Sequence, residues 1–201
     1  MNRIRRVSPG VAIAAALSLL VSVSVRADGN VVQGRAQAVM CSGCHGIADY
    51  RTAYPMVYPV PRIGGQDASY MVKALQEYKA GDRKHPTMQA IAATLSDQDM
   101  ANVAAYYAGL GTSGASAAAE QTKVDATCVA CHGAQGSKAT TPQTPRLAGQ
   151  QRDYLVQALT DYRKKARSNV IMAAMAAPLT DEQIRELAAY YSLQQGLVTE
   201  P

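Results

Sequence analysis

All four cysteines of this 201-residue chain, and two of its three histidines, fall in two copies of one pentapeptide. The copies are Cys41-Ser42-Gly43-Cys44-His45 and Cys128-Val129-Ala130-Cys131-His132. On a helix the two thiols of each copy lie about one turn apart, with the imidazole directly after them. C-x-x-C-H is the attachment signature of c-type haem. In that reading Cys41, Cys44, Cys128 and Cys131 form thioethers with haem vinyl groups, and His45 and His132 each approach an iron from one face. A redox disulfide or a zinc site is the alternative use of C-x-x-C. A zinc site built from one pair needs two further ligands, and the only spare histidine is His85. A redox pair requires neither the following histidine nor a second copy.

Residues 1–27 read as a secretory signal peptide. Arg3, Arg5 and Arg6 form a basic start, Val11 to Val23 is apolar apart from serines, and Val25-Arg26-Ala27 offers a cleavage site after Ala27. Arg26 is an awkward neighbour for cleavage, so retention as an anchor is the alternative, although the apolar run is short for a membrane span. A periplasmic location follows, and it suits the chemistry, because haem is attached to C-x-x-C outside the cytoplasm. The segment contains four arginines and no acid, so its removal lowers the formal net charge by four, from +5 to +1. No clustered basic face suggests nucleic acid. The one basic cluster, Arg163-Lys164-Lys165 with Arg167, reads as a solvated helix end. The mature chain is expected to be soluble.

The repeat extends beyond the pentapeptides. Pro61-Arg62-Ile63-Gly64-Gly65-Gln66 returns as Pro145-Arg146-Leu147-Ala148-Gly149-Gln150, and Tyr70, Ala74, Leu75 and Tyr78 return as Tyr154, Ala158, Leu159 and Tyr162. Leu95-Ser96-Asp97 and Ala104-Ala105-Tyr106-Tyr107 return as Leu179-Thr180-Asp181 and Ala188-Ala189-Tyr190-Tyr191, all at an offset of 84. At the pentapeptides the offset is 87, so the first copy carries three extra residues before Pro61. Such self-similarity marks duplicated units. The small-residue stretch around 111–120 suits a linker, which gives residues 28–113 and 114–201 as two domains. Each is marginal in size for a self-sufficient core. With no Phe or Trp in the chain, tyrosine and porphyrin must supply the bulk.

Helices are expected throughout, and strands are not. Val31 to Met40 leads into the first pentapeptide. Ala68 to Ala80 shows helical apolar spacing closed by Gly81, and Ser96 with Asp99 and Thr180 with Gln183 are capping-box patterns. At the offset of 84, Met88 matches Met172, whereas Met175 matches Ile91 and His85 matches Asn169. One shared mode of ligation therefore selects Met88 and Met172 as the second axial ligands. Core packing is the alternative for a helical methionine, and His85 reads as a solvent-facing polar residue. His/Met ligation fills both axial positions and favours electron transfer over substrate chemistry. The carbonyls of Pro61 and Pro145 are suited to accept from the Nδ1–H of an axial imidazole, with a simple turn as the other reading.

On these residues the chain resembles the di-haem cytochrome c4 family of class I c-type cytochromes over residues 28–195. The resemblance rests on both C-x-x-C-H motifs, the Pro-Arg-Ile/Leu-x-Gly-Gln segments and the methionine seven residues before Leu-Ser/Thr-Asp. An Ala-Ala-Tyr-Tyr helix completes it in each half. It implies an all-α fold of two tandem cytochrome c domains, each wrapped around one covalently bound haem c. Cys41, Cys44, His45 and Met88 would serve the first, and Cys128, Cys131, His132 and Met172 the second. It also implies an electron carrier rather than an enzyme, working between respiratory-chain components such as a cytochrome bc1 complex and a terminal oxidase. The alternatives are a cytochrome subunit of a dehydrogenase complex, or a haem enzyme for peroxide or thiosulfate with one labile axial ligand. The chain departs from the family in Gly46 to Pro61, where Tyr50, Tyr54, Tyr58, Pro55 and Pro59 replace a shorter polar loop. These tyrosines are expected either to dock a partner or to pack over the haem or the second domain.

Overall fold

A computed structural model of the chain describes residues 28–111 and 126–200. The leader over residues 1–27 and the boundary at residue 113 lie outside the described residues. The first half contains α1 (Val31–Gln37), α2 (Val39–His45), β1 (Arg51–Thr52), β2 (Tyr58–Pro59), α3 (Ala68–Ala80), α4 (Pro86–Ala93) and α5 (Asp97–Ala108). The second contains α6 (Ala126–His132), α7 (Arg152–Arg163), α8 (Val170–Ala176) and α9 (Asp181–Ser192). Helices α6 to α9 repeat α2 to α5 in order, so the fold is all-α and duplicated.

Local chemistry sets the helix ends. Ser96 and Thr180 cap α5 and α9, each in a full capping box with Asp99 or Gln183. Gly81 ends α3 at φ 84°, a left-handed conformation open to glycine at little cost. The single helix expected over Val31 to Met40 is instead two short ones meeting at the buried Ala38. His85 is not solvent-facing. It is buried, and its Nδ1 accepts from the Met88 N–H at 3.3 Å as the N-cap of α4. Asn169, its counterpart, caps α8 from the Met172 N–H at 2.9 Å.

Packing relies on small residues. Gly34 of α1 lies so close to α5 that a Cβ there would stand 2.0 Å from the Asn102 carbonyl oxygen. Around that crossing, Ala38, Met71, Val103, Ala104 and Tyr107 form the first core. Leu155, Ala188, Tyr190 and Tyr191 form the second. Helix α3 packs on α4 and α5, and α7 on α8 and α9.

The two halves meet through their repeated segments, and the pairing is reciprocal. The Gln66 side chain donates to the Arg146 carbonyl at 3.0 Å and accepts from the Arg146 N–H at 2.8 Å. Gln150 does the same to Arg62, at 2.9 and 2.8 Å. Both glutamines are buried, so each amide substitutes for a strand neighbour and satisfies backbone groups that would otherwise be desolvated without partners. Each residue meets the partner of its own repeat, the rule of an isologous interface carried within one chain.

The loop from Gly46 to Pro61 differs from expectation by holding a two-residue antiparallel ladder, Arg51 against Pro59 and Thr52 against Tyr58. Two residues per strand are too few to leave an alternating pattern in the sequence. Its tyrosines divide. Tyr50 and Tyr54 are exposed, whereas Tyr58 stacks tilted on Tyr154 of α7 with ring centroids 6.3 Å apart. Tyr58 thus packs against the second half.

Two stability outcomes follow from these contacts. Tyr58→Ser is expected to lower stability by about 1 kcal/mol, the worth of an aromatic pair, and Tyr54→Ser by less than about 0.5 kcal/mol, read from melting of the holoprotein. At the α4 cap, His85→Ala is expected to cost about 1 kcal/mol, whereas His85→Asn, which installs the cap of the second half, keeps the melting temperature.

Candidate functional site

Helices α2 and α6 end in the two pentapeptides, so the thiols of Cys41 and Cys44, and of Cys128 and Cys131, project about a turn apart. No disulfide joins these cysteines. Among the described residues no three His, Cys, Asp or Glu side chains gather as a metal site. Burial, reinforced by the nearby Glu200 charge, pushes the Cys41 thiol up to about 11. A site of this kind suits a neutral sulfur better than a thiolate.

The histidines are oriented identically. His45 Nδ1 lies 2.8 Å from the Pro61 carbonyl oxygen, and His132 Nδ1 lies 2.9 Å from that of Pro145. Of the two readings open for the prolines, the carbonyl acceptor is the one observed. A carbonyl accepts but cannot donate, so Nδ1 carries the proton and Nε2 keeps its lone pair. Burial lowers the pKa of both rings, against the opposing effect of the proline carbonyls, which keeps them neutral.

One cavity runs through both halves. It is lined by Cys41, Cys44, His45 and Met88 from the first, and by Cys128, His132 and Met172 from the second. Met172 is half-buried at its wall. Met175, one turn along α8, is 42% exposed and does not line it. Cys131 is exposed and does not line it. The rest of the lining is largely apolar, including Met71, Ile91, Val103, Leu155 and Leu187.

Two arginines stand at the wall of this apolar space. Arg83 and Arg167 are buried, which overturns the reading of Arg167 as part of a solvated basic helix end; Lys164 and Lys165 alone face solvent. Arg83 donates to the Tyr154 hydroxyl at 2.6 Å and Arg167 to the Tyr70 hydroxyl at 2.9 Å, each reaching into the other half. Their guanidinium carbons lie 4.6 Å from the ring centroids of Tyr78 and Tyr162. Neither forms an ion pair among the described residues, and the Arg167 Nε is buried without a partner. A buried guanidinium without a carboxylate is costly. Haem propionates are carboxylates at the edge of an otherwise apolar disc, and they match this donor set. Sequence reasoning missed Arg83, Arg167, Gln66 and Gln150 as working residues. The recurrence of each arginine and glutamine at the offset of 84 was the available signal.

Comparison with known proteins agrees with this geometry. The family model for cytochrome c matches twice, over residues 31–110 and 117–192. Cytochrome c4 from Azotobacter vinelandii is 30% identical, over 90% of this chain and 95% of its own. The thiosulfate dehydrogenase electron acceptor of Stutzerimonas stutzeri strain A1501 is 33% identical, over 90% and 93%. The crystal structure of reduced recombinant cytochrome c4 from Pseudomonas stutzeri superposes with a TM-score of 0.67 at 27% identity. It covers 83% of this chain and 100% of that one. With two cytochrome c domains, two C-x-x-C-H helices and a cavity whose donors match haem, the protein takes two covalently bound haem c groups. The chain belongs to the cytochrome c family and, within it, to the di-haem cytochrome c4 proteins.

Proposed function

We propose that this protein is a periplasmic electron carrier whose two irons are each held between histidine and methionine. The observation that supports the reading is that His45, Met88, His132 and Met172, equivalent in pairs under the sequence repeat, all line the common cavity. When bound, each haem supplies a one-electron Fe(III)/Fe(II) couple. In this reading Cys41 and Cys44, and Cys128 and Cys131, anchor the rings through thioethers. His45 and His132 present Nε2, held in direction by the Pro61 and Pro145 carbonyls. Met88 and Met172 supply a soft, neutral sulfur that favours the reduced form and raises the potential. Arg83 and Arg167 neutralise the propionates, and the apolar lining excludes water. With a histidine and a methionine both committed to each iron, no ligand position would remain for a substrate, and the chain would carry electrons rather than catalyse a reaction.

The export reading of residues 1–27 supports the periplasm. Among the described residues no helix is long and apolar enough to cross a membrane. Partners are other redox proteins, with a cytochrome bc1 complex and a terminal oxidase as the expected respiratory pair. The Stutzerimonas stutzeri relative favours a second donor, a thiosulfate dehydrogenase that passes electrons to this chain. The domain division at residue 113 belongs to the same proposal and agrees with the gap between the two family matches.

Two measurements test it. Met172→Ala is expected to abolish the methionine-to-iron charge-transfer band of one haem and leave that iron high-spin, while Met175→Ala keeps both bands. The reverse result refutes the ligand assignment. Arg83→Gln is expected to lower the potential of at least one haem in a redox titration, because removing a buried positive charge stabilises the more positive ferric form. Unchanged potentials would separate Arg83 from the propionates.

A further inference from the structure

Beyond α9 the chain runs between the two halves, in contact with both. The buried Leu197 donates its N–H to the Ala148 carbonyl of its own half at 2.7 Å. Val198 then makes an isolated antiparallel bridge to Gly64 of the other half, with bonds of 3.0 and 3.1 Å. Gly64 and Ala148 are equivalent positions of the repeat, so adjacent tail residues bind the same site twice, once in each half. A methyl group is tolerated at Ala148. At Gly64 a Cβ would lie 2.8 Å from Val198 Cγ2 and 2.9 Å from its carbonyl oxygen.

Two residues further on, the Glu200 carboxylate accepts three hydroxyls from the first half. Tyr106 donates at 2.6 Å, Tyr107 at 2.9 Å, and Ser42 completes the set. Ser42 lies inside the first pentapeptide, and the fully buried Tyr107 lines the cavity. The second half has no such arrangement among the described residues. Val129 replaces Ser42, Tyr190 donates to the Ala134 carbonyl at 3.0 Å, and the Tyr191 hydroxyl is buried without a partner. This carboxylate is one electrostatic difference between the halves.

We propose that residues 197–200 form a strap that fastens the second domain onto the first and fixes the Glu200 carboxylate behind the attachment helix of the first haem, where its charge lowers the potential of that haem alone. The proposal rests on the reading of Cys41 to His45 as that attachment site. A fixed negative charge stabilises ferric over ferrous iron, and the effect grows where the charge is held away from bulk water. Burial would raise the Glu200 pKa, but the three hydroxyl bonds outweigh it and lower it, which keeps the group ionised. It reaches the cofactor wall by geometry, through Ser42 beside Cys41 and through Tyr107, which lines the cavity. The exposed Arg35 is the weakest of the influences on it.

Redox titration of the purified holoprotein tests the charge, and truncation tests the strap. Glu200→Gln keeps the side-chain shape and removes the charge; one of the two waves is expected to shift upward while the other stays. Equal shifts of both waves, or no shift, would overturn the proposal. The Met172→His background identifies the wave, because a second histidine ligand drops the second haem to lower potential. There Glu200→Gln must raise the upper wave only, and a shift of the lower one would overturn the assignment to the first haem. If Met172→His drops neither wave, the ligand reading fails, and the one-wave criterion for Glu200→Gln still decides this proposal. Deleting residues 198–201 is expected to raise the same wave, lower the melting temperature and increase the radius of gyration in solution scattering. An unchanged melting temperature and radius would remove the strap.

Discussion

Each half of this protein is built around a hollow that its own side chains do not fill. The first core consists of Ala38, Met71, Val103, Ala104 and Tyr107, and the second of four residues. Neither resembles the densely filled interior that normally offsets chain entropy in a domain of this size. A chain with no Phe and no Trp cannot fill that space by itself. Two covalently held haems supply the missing apolar surface, and the Pro61 and Pro145 carbonyls fix the orientation of His45 and His132 at its wall. The small residues on the crossing helices serve the same end. Gly34 lets α1 sit directly on α5 and so fixes the helix leading into the first pentapeptide.

The hollow is shared, which makes the domain interface part of the cofactor environment. The cavity continues from one half into the other, and the two arginines at its wall cross between them. Two unpaired cations buried near one another would destabilise an empty protein. In the holoprotein, haem propionates would supply the carboxylates that these arginines lack. The reciprocal glutamine bonds hold this junction without adding charge. Their backbone partners are the arginines directly after the prolines that orient the histidines. Ligand orientation and domain docking are therefore mechanically linked through two short segments.

Departures from this symmetry lie at the periphery. The extra residues after the first pentapeptide form the small hairpin that brings Tyr58 onto Tyr154. The C-terminal tail runs between the two halves and ends on the first. Both devices join the two halves, the hairpin at Tyr154 and the tail at Gly64 and Ala148. The duplicated core thus supplies two similar redox sites, and the unrepeated segments make them unlike.

The sequence by itself determined the cofactor chemistry, because C-x-x-C-H joins the attaching thiols and one ligand within a single turn of helix. It also determined the duplication and the capping boxes of α5 and α9, since these depend on residues three apart or on a constant offset. Internal register separated Met172, which lines the cavity, from Met175, which is exposed. Only the tertiary structure decided what the repeated Pro-Arg-x-x-Gly-Gln segment does, why His85 is buried, and where Arg167 points. The partners of Gln66, Arg83 and Arg167 lie 70 to 100 residues away in sequence, and helical periodicity records only which face of an element is apolar. A polar residue that a distant segment will bury looks the same, in sequence, as one facing water.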